Sequence, residues 1–252
     1  TKQVYVQELA TAYDRGASRY RQDDEIEMRT ENYARLGGNL QRITLQRKDA
    51  QVLEIGCGTG RYFHWLQNVK LLVGTDLSAE MLRQAENPVR GSEVSARQVR
   101  LLHGDIYAMT FPAETFDFIY ALGVFGHGAE VTPEFCRQLY GWLAPGGRLY
   151  FNAIEEPSEG ALRRLKRAVR APVYRCLPTK LRQYWDARQK GVPLILHSRE
   201  KIERAMLAGG FSDFHLSLAV CRSPLWNGVH IECLASKEKR DGAMPAAQRI
   251  AS

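Results

Sequence analysis

A short stretch of the chain, VLEIGCGTGR at residues 52–61, combines a carboxylate with closely spaced glycines. Glu54 belongs to an apolar run that fits a buried strand, and the glycines after it stand at alternate positions, Gly56, Gly58 and Gly60. Such a turn lets the backbone come close to a ligand, which favours a nucleotide-like cofactor. The dinucleotide motif needs glycine at its sixth position, where this chain has arginine, so the spacing argues against a dinucleotide. Glycine-rich turns also end ordinary strands, and these ten residues alone leave both interpretations open.

Two further carboxylates follow strand-like runs. Asp76 ends the run LLVGTD, 22 positions after Glu54, and an acid near this offset can accept hydrogen bonds from both ribose hydroxyls. Asp105 follows another short apolar run, and the run FDFIYALGVFGH ends in glycines at 123, 126 and 128. Strand ends of this kind predict the carboxyl edge of an open parallel sheet, where such folds bind ligands.

In these motifs the chain resembles the class I S-adenosylmethionine-dependent methyltransferases, most of all the subgroup that modifies small molecules, quinones and lipids. The matching segments occur in the family's order over roughly residues 50 to 155: VLEIGCGTG, GTDLS followed by Met81, HGDI, FDFIYALGVFGH and LAPGGRLYF. The resemblance implies S-adenosylmethionine as cofactor. It also implies an α/β, Rossmann-like open sheet of seven strands, mostly parallel with an antiparallel last strand, with helices on both faces and a helical cap.

The resemblance assigns the residues of these motifs to parts of the cofactor. The glycine loop would wrap the methionine part, Asp76 would hold the ribose, and Glu54 is a further cofactor-binding residue. Around the adenine and beneath the cofactor the implied residues are Leu77, Met81, Asp105, Ile106, Ala121 and Leu122. The glycine loop itself consists of Gly56, Cys57, Gly58 and Gly60. A nucleophilic role for Cys57 is the alternative to a small side chain that a tight loop accepts, and no adjacent base supports it.

Composition agrees with a chain of this class. The 252 residues, 44% of them hydrophobic, suffice for one α/β domain with a cap. No apolar run has the length of a membrane span, and residues 1–14 lack a signal peptide's apolar stretch. The five cysteines are odd in number and form no close pair typical of a zinc or redox site. We therefore expect a soluble protein in a reducing cytoplasm, without a structural metal.

Two segments before the first strand, residues 3–20 and 23–47, have helical spacing and are predicted to cap the cofactor cleft. The acidic cluster of residues 23–27 would begin the second helix, where the helix dipole favours negative charge. AYDRGASRY resembles the family's entry helix, where an aromatic residue closes over the cofactor. Tyr13 and Tyr20 share one helical face; core packing is the alternative role, and Tyr20 is the preferred candidate.

His127 follows the fourth strand, where relatives carry a polar residue that faces the acceptor. An imidazole titrates near neutrality and could take a proton from an oxygen or nitrogen acceptor, so His127 is the candidate catalytic residue. A histidine at this place can also simply pack or bond the backbone. His103, in an apolar run, and His64, on the helix expected after the glycine loop, are interpreted as structural.

The segment 161–190 carries most of the positive charge. It holds ten Lys or Arg and one acid, a balance of +9, whereas the whole chain is +7, so the remainder sums to −2. Apolar residues recur between the basic ones at helical spacing. Such a helix could contact an anionic membrane surface, receive an acidic substrate, bind nucleic acid, or be only a solvated cap.

The last part of the chain completes the predicted sheet. HSREKIERAMLAGGF predicts a helix capped by Ser198 and ended by glycines 209 and 210, and FHLSLAV and VHIECLAS predict two antiparallel strands. We expect one structural domain with five parts. These are an N-terminal helical cap (1–48), a cofactor-binding core (49–155), a basic acceptor cap (156–195), the end of the sheet (196–236) and a flexible tail (237–252).

The leading functional hypothesis is a methyltransferase for a small-molecule or lipid-like acceptor that is acidic or membrane-associated. An RNA methyltransferase that uses the 161–190 patch is one alternative, although ALGV stands where many nucleic-acid amino-methylating relatives carry an asparagine-proline-proline-tyrosine signature. Nucleic acid is accordingly not the expected partner. A second alternative is a subunit that binds S-adenosylmethionine without transferring its methyl group.

Overall fold

A computed structural model describes residues 2–156, 194–225 and 227–239. Seven strands form one sheet in the order β3-β2-β1-β4-β5-β7-β6. Strand β7 is antiparallel to both of its neighbours, and the remaining neighbours pair in parallel. The strands are β1 (Ala50–Ile55), β2 (Val69–Asp76), β3 (Gln98–His103), β4 (Phe116–Phe125), β5 (Leu143–Ile154), β6 (Asp213–Arg222) and β7 (Asn227–Ser236). The predicted fold class is confirmed.

The described helices cover both faces of this sheet. They are α1 (Lys2–Glu27), α2 (Glu31–Leu45), α3 (Ala79–Ala85), α4 (Pro133–Trp142) and α5 (Arg199–Ala208), with short 3-10 helices at Phe63–Trp65 and Gly91–Glu93. Alternate residues of β1 belong to different cores, because successive side chains of a strand point to opposite faces. Val52 packs in the cluster that contains α2, whereas Leu53 and Ile55 pack in the cluster that contains α4 and α5.

The boundary between the first two helices differs from the prediction. Helix α1 continues to Glu27, and α2 begins after Thr30, whose side chain accepts a hydrogen bond from the Tyr33 N–H. The acidic cluster therefore occupies the last turns of α1 instead of the first turn of the next helix. A helix dipole disfavours acids there, and Asp24 is stabilised by tertiary contacts instead.

Two further predictions need correction. The chain after the glycine loop forms only the 3-10 helix Phe63–Trp65 before β2, in place of the expected longer helix. Lys237, predicted to begin the flexible tail, donates hydrogen bonds to the carbonyl oxygens of Tyr140 and Leu143, at 3.0 and 2.9 Å. The tail prediction beyond residue 239 lies outside the described residues.

The C-terminal helix begins and ends as predicted. The Ser198 hydroxyl accepts a hydrogen bond from the Lys201 N–H at 3.2 Å, and α5 stops before Gly209. The predicted basic segment 161–190 lies outside the described residues. Across the ranges that the structure does describe, no helix combines the length and apolar character that a membrane crossing requires.

Candidate functional site

The strand order brings the loops after β1, β2 and β4 to one place. Strand β1 has β2 on one side and β4 on the other, so chain connections leave in opposite directions at its carboxyl end. Open α/β sheets bind ligands in the crevice that such a reversal creates. A cavity of about 650 Å³ lies there, within the range of about 300–1,000 Å³ typical of small-molecule sites.

The glycine loop forms one wall of this cavity in a conformation that glycine makes possible. Gly56 and Gly58 have φ angles of +64° and +53°. A Cβ on Gly56 would lie 2.5 Å from a methyl carbon of Val124, whereas a Cβ on Gly58 would meet nothing within 4 Å. The backbone at Gly58 therefore faces open cavity space, as a loop that approaches a ligand closely must do.

Asp76 fixes the shape of this loop from the end of β2. Its Oδ2 accepts a hydrogen bond from the Gly58 N–H at 2.8 Å, and its Oδ1 accepts one from the Ser78 N–H at 2.9 Å. Burial raises the pKa of Asp76, while backbone hydrogen bonds from Ser78, Gly58 and Leu77 oppose the rise. A carboxylate has about four acceptor positions, so about one remains for a hydroxyl donor in the cavity.

The loops after β2 and β3 form the far end of the cavity. Leu77 and Met81 line it from the start of α3, which Ser78 caps by accepting a hydrogen bond from the Met81 N–H. Asp105 and Ile106 line it from the loop after β3. The Asp105 carboxylate accepts a hydrogen bond from the Tyr107 N–H at 3.0 Å, which fixes its orientation.

Twelve of the fourteen predicted site residues line this cavity, and two do not. Ala121 is fully buried in the core, because it alternates along β4 with Leu122, which does line the cavity. Gly60 also lies outside the cavity lining. A Cβ there would come within 2.8 Å of Phe63 and 3.1 Å of Pro88, so this glycine serves the packing of the turn. Ala121 therefore does not form part of the cavity surface in this structure.

Glu54 lines the cavity at the end of β1, and its carboxyl group is hydrogen-bonded to a side chain of the neighbouring strand β4. The Tyr120 hydroxyl donates a hydrogen bond to Glu54 Oε2. Burial raises the pKa of Glu54 to about 8, so this carboxyl group is largely protonated at neutral pH. Cys57, also on the cavity wall, has its pKa raised by burial, which does not favour a nucleophilic thiolate.

Helix α1 forms the roof. Tyr13 and Tyr20 both line the cavity, with ring centroids 5.9 Å apart, so the predicted shared face is confirmed. Asp14 accepts a hydrogen bond from the Ser78 hydroxyl at 2.6 Å. The Thr59 hydroxyl donates one to Asp24 in the same helix. These contacts join the roof to the loops after β2 and β1.

Sequence reasoning missed several lining residues. Tyr5, Val6 and Leu9 lie on the apolar face of α1, where helical periodicity alone could not separate core from cavity. Arg61 and Asp24 also line the cavity. The position of Arg61, directly after the last glycine of the loop, was the available signal, whereas nothing in the sequence connects it to Asp24.

His127 lines the cavity from the loop after β4, a strand that lies on the other side of β1 from β2 and β3. Leu194 and Ile195, which precede α5, contact the same loop. His127 forms an isolated bridge with Leu194, and the Ile195 N–H donates to the Gly126 carbonyl at 2.9 Å. His64 and His103 lie elsewhere. His64 Nε2 is 3.0 Å from the Tyr33 hydroxyl, and His103 Nε2 is 3.0 Å from the Leu77 carbonyl oxygen.

Among the described ranges, no cluster of three or more His, Cys, Asp or Glu side chains could hold a metal ion. The cavity is lined by backbone N–H groups, carboxylates and aromatic rings. It fits a ligand with hydroxyl groups, a flat ring and a charged end.

Comparison with known proteins supports one family. Residues 52–147 match a methyltransferase domain model. The chain is 31% identical over 169 residues to malonyl-[acyl-carrier protein] O-methyltransferase of Enterobacter lignolyticus, covering 65% of this chain and 60% of that protein. It is 27% identical over 119 residues to demethylmenaquinone methyltransferase of Listeria welshimeri, covering 44% and 48%. The chain thus spans about three fifths and about half of these two curated relatives.

Among solved structures, the fold is similar to a SAM-dependent methyltransferase of Thermotoga maritima, described as a possible histamine N-methyltransferase. The TM-score is 0.58 with 17% identity, over 91% of this chain and 100% of that one. The ordered motifs, the seven-stranded sheet and these similarities support a methyltransferase domain with a Rossmann-like fold, and they support S-adenosylmethionine as its cofactor.

Proposed function

We propose that this chain transfers a methyl group from S-adenosylmethionine to a small-molecule or lipid-like acceptor. The observation that carries the proposal is the hydrogen bond between Gly58 and Asp76, at the edge of a cavity that reaches His127. One end of that cavity has the donors and acceptors that a nucleoside requires. The other end has a side chain capable of proton transfer.

The proposed cofactor position follows the lining residues. The glycine loop would contact the methionine part, since the space at Gly58 is open to the cavity. Asp76 would accept a hydrogen bond from the ribose hydroxyls with its remaining acceptor capacity. Leu77 and Met81 would flank the adenine, with Asp105 as the acceptor for its amino group. Tyr20 would close over the cofactor from α1.

The bound cofactor supplies a methyl group that is already activated by its sulfonium charge. The protein therefore has to orient the acceptor atom and exclude water, and such positioning lowers the barrier by up to about 7–11 kcal/mol. The roof formed by α1 serves the exclusion of water. His127 would accept the proton of a hydroxyl or amine acceptor, whereas an acceptor that is already ionised needs no base.

The proposed acceptor is acidic or membrane-associated, and two considerations support this. The described residues on either side of the basic insertion are held by the fold: the Glu156 N–H donates to the His197 carbonyl at 2.7 Å, and Leu194 forms a bridge with His127, which lines the cavity. The sequence between them carries the +9 segment. By name, one relative acts on malonyl-[acyl-carrier protein], whose malonyl group is anionic, and the other on demethylmenaquinone.

We further propose a cytoplasmic location, in agreement with the cysteine pattern. The four described cysteines are free thiols.

Calorimetry with S-adenosylhomocysteine tests the cofactor proposal. We expect wild type to bind, and Asp76→Ala to lose most of this binding. Asp117→Ala is the matched control, because Asp117 likewise accepts a backbone hydrogen bond, from Gln51 at 2.9 Å, on a strand end that does not line the cavity. Equal effects of the two substitutions, or no binding by wild type, would contradict the proposal.

Incubation with methyl-labelled cofactor and small-molecule extracts tests transfer. A labelled small molecule or lipid is the expected product. Binding without formation of S-adenosylhomocysteine would instead support the non-catalytic alternative. A labelled RNA, with salt-sensitive binding that charge reversal at Arg163, Arg164 and Arg167 abolishes, would support the nucleic-acid alternative.

A further inference from the structure

An ion pair between a partly exposed arginine and a buried aspartate stands in the cavity wall beside the glycine loop. Arg61 Nη1 lies 3.3 Å from Asp24 Oδ1, and their side chains are 27% and 4% exposed. Arg61 follows the loop after β1, whereas Asp24 belongs to the roof helix α1. The pair therefore bridges the two elements that enclose this end of the cavity.

Both members of the pair are oriented by neighbours. The Thr59 hydroxyl donates a hydrogen bond to Asp24 Oδ2, and the Arg61 guanidinium carbon lies 5.2 Å from the centre of the Tyr62 ring. Burial raises the pKa of Asp24, while the positive charges of Arg61 and Arg21 oppose that rise. These contacts offset part of the cost of burying the carboxylate and orient the guanidinium at the cavity surface.

Such a pair is a costly way to join a helix to a loop. Asp24 is buried and Arg61 is partly so, and the hydration that such charges lose usually offsets their attraction, so the pair is weak evidence for a role in stability. Both groups also have unused bonding capacity. A guanidinium has five N–H donors, and a carboxylate has about four acceptor positions. Since both residues line the cavity, this capacity is available to a ligand.

A ligand that fits this pair carries a negative and a positive group close together. The proposed function places the methionine part of S-adenosylmethionine at the glycine loop, next to Thr59 and Arg61. That part ends in an α-amino acid group, with a carboxylate and an ammonium on one carbon. Charge-assisted hydrogen bonds to both groups would be stronger than neutral ones.

We propose that Arg61 and Asp24 together form a clamp for the zwitterionic end of the cofactor, in which Arg61 binds the carboxylate and Asp24 binds the ammonium. This inference rests on the proposed function, because it assumes that the cofactor occupies the cavity. It makes the roof helix part of the binding site. A ligand that lacks the amino acid group would therefore bind without the contact that Asp24 of α1 makes.

Three ligands separate the two halves of the clamp in calorimetry. S-Adenosylhomocysteine carries both charges, its decarboxylated analogue keeps only the ammonium, and 5′-methylthioadenosine lacks the whole amino acid group. We expect Arg61→Gln to weaken S-adenosylhomocysteine binding by about tenfold to a hundredfold, the range for loss of a hydrogen bond to a charged group. The affinities for the other two ligands should remain unchanged.

Asp24→Asn gives a different pattern. It should weaken binding of S-adenosylhomocysteine and of the decarboxylated analogue, and leave 5′-methylthioadenosine unaffected. The matched controls are Arg97→Gln and Asp49→Asn. They break an exposed ion pair, with an N–O distance of 2.6 Å, whose members do not line the cavity. Neither control should change the affinity for any of the three ligands.

The outcomes distinguish the clamp from the proposed function. If wild type binds none of the three ligands, the proposed function fails and the clamp fails with it. If wild type binds them but both variants weaken all three equally, the pair only joins α1 to the loop, and the clamp is overturned while the proposed function stands. Asp24→Asn is nearly isosteric and keeps an acceptor for Thr59, so it decides the question even if Arg61→Gln does not fold.

Discussion

The Tyr13 hydroxyl donates a hydrogen bond to the carbonyl oxygen of His127, at 3.0 Å. This contact joins the roof helix α1 to the loop after β4, on the side of the cavity proposed for the acceptor. Eight residues away from Tyr13, the Tyr5 hydroxyl is 3.5 Å from the Gly128 carbonyl oxygen in the same loop. Helix α1 thus contacts the loop that carries the candidate base as well as the glycine loop.

Tyr13→Phe should loosen this roof. The substitution removes one hydrogen bond of about 1 kcal/mol and leaves the ring in place. We expect faster hydrogen exchange at the amides of α1 with little change in the exchange of the sheet. Tyr140→Phe in α4, which does not line the cavity, is the control for removal of a tyrosine hydroxyl. Unchanged exchange in α1 would show that the bond to His127 does not hold the roof.

A comparison of Gly58→Ala with Gly210→Ala separates two effects of an added methyl group, strain in the backbone and loss of space for the ligand. Gly58 has a φ of +53°, where a residue with a Cβ costs about 1–2 kcal/mol, and its Cβ would point into open cavity space. Gly210→Ala introduces a Cβ at a φ of +100° outside the cavity. Both variants should lower the melting temperature by a few degrees.

The two glycine variants should differ in cofactor binding. Only Gly58→Ala is expected to weaken S-adenosylhomocysteine binding in calorimetry, because only its methyl group competes with the ligand. A similar loss in both variants would attribute the effect to stability alone. A Gly58→Ala protein with wild-type affinity would mean that the loop does not approach the cofactor at this residue.

Local patterns predicted the sheet and much of the cavity wall. The strand ends after Ile55 and Asp76 combine apolar runs with turn residues, and the order of strands then brings these ends together. The Ser198 cap was equally local. Local patterns do not show whether a side chain on a central strand faces the cavity or the core. Ala121 and Leu122 are neighbours on β4, and the sequence does not show which of them faces the cavity.

The helix boundary failed for a different physical reason. Local electrostatics favours the acids of residues 23–27 at the start of a helix. In the fold, Asp24 is compensated by Thr59 and Arg61, which are 35 and 37 positions away along the chain. Thr30, a good N-cap residue, was the local signal for the true start of α2.

Glu54 should make the protein less stable as pH rises. Burial raises its pKa from 4.5 to about 8, so the folded state holds a proton that the unfolded state releases. Its contribution is fully present below pH 4.5 and is lost by pH 8, with a slope of at most about 1.4 kcal/mol per pH unit. Glu54→Gln should remove this slope, measured as the difference between wild type and variant in urea unfolding. A difference that does not vary with pH would contradict a protonated Glu54.

His64 should act in the opposite direction. Burial lowers its pKa from 6.5 to about 4, so the unfolded state binds a proton that the folded state excludes. Its contribution is fully present above pH 6.5 and is lost as pH falls to 4. His64→Gln should therefore reduce the pH dependence of unfolding between these values. The exposed His215 gives the control, since His215→Gln should leave the dependence unchanged. An equal pH dependence of unfolding in both variants would contradict a lowered pKa for His64.

His127→Gln tests whether the candidate base takes part in the chemistry, and its result depends on the acceptor. For a hydroxyl or amine acceptor, loss of a general base should reduce the turnover rate by roughly 10²- to 10⁴-fold, with unchanged affinity for S-adenosylhomocysteine. For a carboxylate acceptor, which is already ionised, the turnover rate should change little, and any effect should appear as a higher KM. His215→Gln on the edge strand β6 is the control for histidine loss. A fall in cofactor affinity would instead indicate that His127 serves the fold of the loop bonded to Tyr13, since a base that contacts only the acceptor leaves cofactor binding intact.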